Sequence, residues 1–286
     1  TITGTSTGSV VKFVTAETVI SRLSGFTISG GNATAAPPDD SGGAIYCQNS
    51  QPRLDNLRIM GNEASEGGGI GLINASPRIT NVRIFDNSAA MSGGGICCHS
   101  GSSPIIENAL IYDNSAMIGG GVAAQVNSSP VLINCTIINN STDLPHFAGG
   151  FDCYGTCSPI VMNCIFWGNT FSQIVNSSQM YITNSCIQNG QSGVSNDAGA
   201  ILNWMDGNIS TDPLFTDAIN CDFHLLINSL CNTGGASTCV FGNLTYFAPP
   251  YDLDMVMRPC PPTSQPDMGA YENMGPLEAD FSASQT

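Results

Sequence analysis

Residues 128–142 read SSPVLINCTIINNST, with a proline, two asparagines at fixed distances and apolar residues between them. The same phrase, P-x-[LIV]-x-N-x-x-[IF]-x-x-N, starts at Pro52, Pro77, Pro104, Pro130 and Pro159, at intervals of 25, 27, 26 and 29 residues. The first Asn of each copy is Asn56, Asn81, Asn108, Asn134 or Asn163. The second is Asn62, Asn87, Asn114, Asn140 or Asn169. A Gly-rich strand start precedes each proline: GGAIYC, GGGIGL, GGGICC, GGGVAA and GGFDCY. Weaker copies flank the five, RLSGFTISGGN from Arg22 and MYITNSCIQN from Met180.

A period of this length is the signature of a solenoid. The apolar runs between turn residues are short and rich in Ile, Val and Leu, which fits strands and not helices. Three short strands and three turns fill one period, so the fold class is all-β: a right-handed parallel β-helix of about seven regular coils, each about 4.8 Å above the last. Residues at one offset then form columns. Leu54, Ile79, Ile106, Leu132 and Val161 make one inward column, and Leu57, Val82, Ala109, Cys135 and Cys164 another. The first Asn position suits a left-handed turn, and the amides of both Asn positions are expected to form structural ladders along the axis.

Charged residues make up only 10% of the 286, with seven basic against 22 acidic and a net charge of −15. Such a chain is repelled by phosphate backbones, which argues against nucleic acid as a partner. It has no apolar run long enough for membrane insertion. Twelve cysteines, without paired C-x-x-C zinc spacing, fit an oxidising compartment. Cys135 with Cys164 and Cys153 with Cys157 are close enough for disulfides or for buried thiol pairs; Cys221 with Cys231 and Cys239 with Cys260 are the candidates in the less regular part. Sequons at positions such as Asn134, Asn140 and Asn176 add a hint of secretion. The localisation expected is secreted, extracellular or cell-surface.

The period fails after about residue 190. Residues 1–190 are read as regular coils, 191–275 as irregular coils and cap of the same solenoid, and 276–286 as a tail strand. The text there is Gly207–Phe215 (GNISTDPLF), Asp222–Leu225 (DFHL), Ser229–Gly234 (SLCNTG) and Asp267–Glu272 (DMGAYE). The chain resembles bacterial secreted right-handed parallel β-helix proteins of the surface-protein type, which close with a D-x-G-A-Y-E segment. It departs from their S-P-C-x-D-x-G turn at Leu230 and Asn232. The end, LEADFSASQT, resembles the opening strand of a PKD-like domain. The resemblance implies a surface role. Asp252, Asp254, Arg258, Asp267 and Glu272 themselves read as partners in cap salt bridges. No cofactor is expected, with Ca²⁺ at Asp252 and Asp254 the alternative.

Many parallel β-helices act on polysaccharides. A uronate lyase needs cations, and Lys12 is the only lysine. Arg53 with Arg78, and Arg58 with Arg83, form two short outward columns that could contact an anionic glycan or pair with Asp55, Glu63, Glu66 or Asp86. The G-H-G and R-x-K motifs of galacturonases are absent, and the only D-D pair is Asp39–Asp40. His224, in DFHL, reads as structural. The sequence therefore reads as a non-enzymatic structural or adhesive solenoid, with a carbohydrate-active module as the alternative. The chain is strand-like from its first residues and shows no capping segment. Head-to-tail assembly with copies of itself is thus expected, through Thr1, Ile2, Val10, Val11 and Phe13 at one end and Ala279 and Phe281 at the other.

Overall fold

The computed structural model describes residues 1–5, 7–35 and 40–275. Asp39, Ala279 and Phe281 lie outside them. The chain winds as a parallel β-solenoid with three sheets along its sides. Sheet 1 contains Arg53–Met60, Arg78–Phe85 and Ile105–Tyr112, three eight-residue strands bent at Asn56, Asn81 and Asn108. Sheet 2 has eight strands, from Val11–Phe13 to Val194–Asn196, which counts eight turns. Sheet 3 is four-stranded and made of small residues such as Ala64, Ala89 and Ala116.

The register is that of the repeat: Leu54 pairs with Ile79, Ile79 with Ile106, Ile106 with Leu132 and Leu132 with Val161, and all five are 0% exposed. Each such side chain contributes about 1.5–3 kcal/mol on burial. The first Asn of each repeat has a left-handed backbone, φ 49 to 56. The Gly pair at the next corner is needed for two separate reasons. Gly93 has φ 65, and a Cβ on Gly94 would stand 2.4 Å from the carbonyl oxygen of Gly120 on the following turn.

The two Asn series behave differently. The second forms a continuous buried ladder. The Nδ2 of Asn62 donates to Oδ1 of Asn87 (2.8 Å), Asn87 to Asn114 (3.0 Å), Asn114 to Asn140 (3.0 Å) and Asn140 to Asn169 (3.0 Å), and Gln173 ends the row (2.8 Å). Each Oδ1 also accepts the backbone N–H of the Asn one turn earlier. The first series is interrupted. Asn108 bonds to Asn81 and Asn163 to Asn134, but Asn134 turns its Nδ2 to the carbonyls of Asp267 and Gly269.

That diversion reflects the largest difference from the sequence reading. Residues 191–209 still follow the coils, with Ile201–Trp204 paired to Gln179–Thr183. From Phe215 to Asn273 the chain lies along the outer face of sheet 1. Phe223, Leu253 and Tyr271 pack on Phe85, Tyr112 and Ile138. Ala236, Cys239 and Tyr246 pack on Val131, Ile133 and Met162. Arg258 and Glu272, both with fully buried side chains, pair at 2.7 Å, and Arg258 also donates to Asn108 Oδ1 and the Gly269 carbonyl. The cap salt bridge is therefore present, and it fastens a lateral strap.

All twelve cysteines are free thiols. Cys135 and Cys164 do stack on neighbouring turns, with Cys135 N–H 3.4 Å from Cys164 Sγ, and each thiol bonds to backbone carbonyls. Cys157 donates likewise to the carbonyls of Ala124 and Tyr154. The pairing of Cys221 with Cys231 does not form: Cys221 is exposed at a turn, while Cys231 is buried in one cluster with Cys186. Cys239 lies within the strap hairpin and packs on sheet 1, and Cys260 gives its N–H to Glu272. Asn134, Asn140 and Asn176 are fully buried, so their sequons are not accessible acceptors.

Replacing Asn114 by Ala strands the backbone N–H of Asn87 and takes the Nδ2 donor from the carbonyls of Ile84 and Tyr112, and the expected loss is about 2–5 kcal/mol in urea unfolding. Asn56→Gly, at an exposed left-handed position, is expected to change stability by less than about 1 kcal/mol. Equal losses at the two sites would contradict the distinction between the ladders.

Asp152, 1% exposed, bonds Ala148 N–H through Oδ2 and leaves Oδ1 without a partner. Burial pushes its pKa up to about 7. A raised carboxyl pKa stabilises the fold below the unfolded value near 3.9 and loses that stabilisation as pH rises through about 7, a swing of up to about 4 kcal/mol. Asp152→Asn is expected to flatten the fall in melting temperature between acid and mildly alkaline pH; an unchanged slope would refute the assignment.

Candidate functional site

Seven residues carry positive charge: Lys12, Arg22, Arg53, Arg58, Arg78, Arg83 and Arg258. Sheet 1 gathers five of them. Arg22, Arg53 and Arg78 are register partners on successive strands, and Arg58 pairs with Arg83 on the other side of the Asn bend. Alternation along each strand forces the pattern. Leu54, Leu57 and Ile59 point into the core, so Arg53 and Arg58 point out. Arg22 extends the first column by one turn beyond the pair recognised in the sequence.

The arginines are held differently. Arg22 pairs with Asp55, which also accepts from Ser24. Arg78 makes a bidentate pair with Glu107, its Nε and Nη2 donating at 2.9 and 2.8 Å. Burial raises the pKa of Glu107, opposed by Arg78. Arg58 lies 4.4 Å over the Phe85 ring. Arg53, exposed between Arg22 and Arg78, has no side-chain ion pair or hydrogen bond among the described residues. Arg22, Arg53, Asp55, Arg78 and Thr80 together line a groove of about 220 Å³. None of these arginines uses Glu63, Glu66 or Asp86 as an ion-pair partner; Glu63 accepts from Asn32.

The strap supplies a wall. Asp254 receives Arg83 at 2.5 Å through one oxygen and His224 Nε2 at 3.0 Å through the other, while His224 Nδ1 meets Asp222 at 2.6 Å. The His224 ring lies 4.0 Å from the Tyr271 ring. Burial works against the charged form of Asp222, yet the hydrogen bonds from His224 hold its pKa below the ordinary value. His224 is thus structural in a way the sequence did not show: it links two carboxylates of the strap beside Arg83. Asp252, proposed with Asp254 for calcium, spends both oxygens on the N–H groups of Asp254, Val256 and Glu272. Among the described residues no group of three or more His, Cys, Asp or Glu converges as a metal site. No helix among them is long and apolar enough to cross a membrane. Thr1, Ile2, Val10, Val11 and Phe13 lie on the first turn, where Ile2–Thr3 and Val11–Phe13 are outermost in sheets 1 and 2.

Because the buried Arg258–Glu272 pair holds the wall, Arg258→Met should cost about 3–5 kcal/mol, since it leaves a buried carboxylate unpaired. Arg258→Met with Glu272→Leu should recover only part of that loss, because the N–H groups of Cys260 and Asp267 then lose their acceptor. Urea unfolding of the two variants checks it, and a double variant no better than the single one would show that the pair is not what fastens the strap.

Comparison with curated proteins and with solved structures returned no match to either. Residues 43–216 match the family described as "Right handed beta helix region", and they include every arginine of the groove except Arg22. With the parallel register and the repeated Asn turns on the same residues, the chain belongs to the right-handed β-helix family.

Proposed function

We propose that the protein is an extracellular, non-enzymatic adhesive β-solenoid that binds an acidic polysaccharide along the arginine face of sheet 1. One observation carries the reading. In a chain of net charge −15, five of seven cations stand on the outer face of three successive turns of sheet 1, and Arg53, between two ion-paired arginines, is uncommitted. A rigid row of guanidinium groups about 4.8 Å apart suits an extended polymer bearing carboxylate or sulfate groups. The acidic remainder of the surface repels a polyanion and confines it to this face.

The carboxylates bordering the arginines favour binding over acid–base chemistry. Asp55, Glu107 and Asp254 are each engaged by an arginine. An arginine partner favours the charged form of a carboxylate, the state that orients and anchors the arginine. Adhesion also suits a stiff rod held by internal amide ladders and hydrophobic columns.

Calorimetric titration with polygalacturonate and with an uncharged chito-oligosaccharide tests the proposal. The acidic polymer is expected to bind, less tightly at high salt, and Arg53→Ala should weaken it about tenfold or more. Binding that is indifferent to salt and to Arg53 would sink it, as would no binding of this polymer or of any other acidic glycan.

A further inference from the structure

The arginine groove does not end at Arg78. One turn further, Arg78 and Glu107 form the border of a second groove of about 360 Å³, within the size range of ligand sites. Its other wall is the strap hairpin, Thr238–Phe241 paired with Leu244–Phe247. Leu244 and Phe247 are each 62% exposed there, beside Tyr246 and Pro249. The column that reads Arg22, Arg53, Arg78 continues as Ile105 and Val131. Along the axis the surface thus changes from a free cation, to a neutralised ion pair, to an apolar floor with an aromatic rim, in steps of about 4.8 Å.

We infer that the glycan held at Arg53 carries an uncharged sugar next to its acidic one, and that the second groove seats it. The inference rests on the glycan-binding reading of the arginine face. The C–H face of a neutral sugar suits the exposed Phe247 ring and the apolar side chains of the groove, as other apolar surfaces do. A second acidic sugar fits less well. Arg78 spends Nε and one Nη2 N–H on Glu107, so the pair is net neutral, and a carboxylate seated there gains less attraction than at Arg53 and stands close to the Glu107 charge. Selectivity then comes from penalising the wrong neighbour as much as from holding the right one.

The test compares three oligosaccharides of equal length by calorimetry. These are hyaluronan, which alternates uronate and N-acetylhexosamine; polygalacturonate, acidic at every unit; and chito-oligosaccharide, uncharged. The expected order places hyaluronan about tenfold or more above polygalacturonate, and chito-oligosaccharide last. Phe247→Ala, at an exposed position, should shrink the preference for hyaluronan to the part owed to Glu107 while leaving Arg53-dependent binding of polygalacturonate intact; a melting curve confirms that the variant folds. Equal or tighter binding of polygalacturonate by the unmodified protein, or a Phe247→Ala variant whose preference is undiminished or that weakens both polymers alike, would overturn the second groove and leave the arginine face standing. If neither acidic polymer binds through Arg53, both readings fall together.

Discussion

The row of buried amides from Asn62 to Gln173 is the constraint that the rest of the solenoid obeys. Each side chain links its own turn to the carbonyls of the previous turn and to the amide of the next. A buried amide satisfied on every side is stable, and the same amide shifted by one position would strand several polar groups in the interior. The ladder therefore fixes the height and phase of every turn. The inward columns, the Gly corners and the outward arginine columns inherit their alignment from it. Arg53 and Arg78 are neighbours because the Asn residues that follow them are.

Much of this was legible in the text. Because no offset slips among the five copies, residue columns could be written down directly, and the pairings Leu54–Ile79–Ile106–Leu132–Val161 are those observed. Left-handed turns at the first Asn were legible from the same repetition. The strap was not, because it is built from text that does not repeat and from contacts spanning more than a hundred residues, such as Arg258 with Asn108. A signal was nevertheless present. Outward positions that are Arg53 and Arg78 in early turns become Ile105 and Val131, and those that are Asp55, Thr80 and Glu107 become Ile133 and Met162; apolar residues facing outward require a cover. The arginine columns were half-legible: Arg22 lies in a weak copy whose alignment only the register settles.

The cysteines show why spacing does not fix chemistry. Cys135 and Cys164 share a column and meet, yet each thiol fills a core site and donates to a carbonyl, as a small apolar residue with a weak donor does. Cys231 was matched to Cys221, a neighbour in sequence, whereas the fold brings it to Cys186, from the last regular turns. Asp252 and Asp254 likewise looked like a cation pair in the sequence. In the fold one closes a backbone turn and the other serves Arg83 and His224, so two similar carboxylates are separated by the donors that reach them.

The strap has a consequence for how the molecule matures. Until it docks, the solenoid shows water a continuous apolar stripe, Phe85 and Tyr112 stacked beside Ile138, with Val131, Ile133 and Met162 across the bend. Turns can stack one upon another as soon as they are made, but the strap is the last part of the described chain to be synthesised. The nascent rod therefore passes through a sticky stage whose duration is set by the arrival of Phe223, Leu253 and Tyr271. Any piece of the chain that stops at the last regular turn would remain in that stage, coiled correctly and inclined to clump.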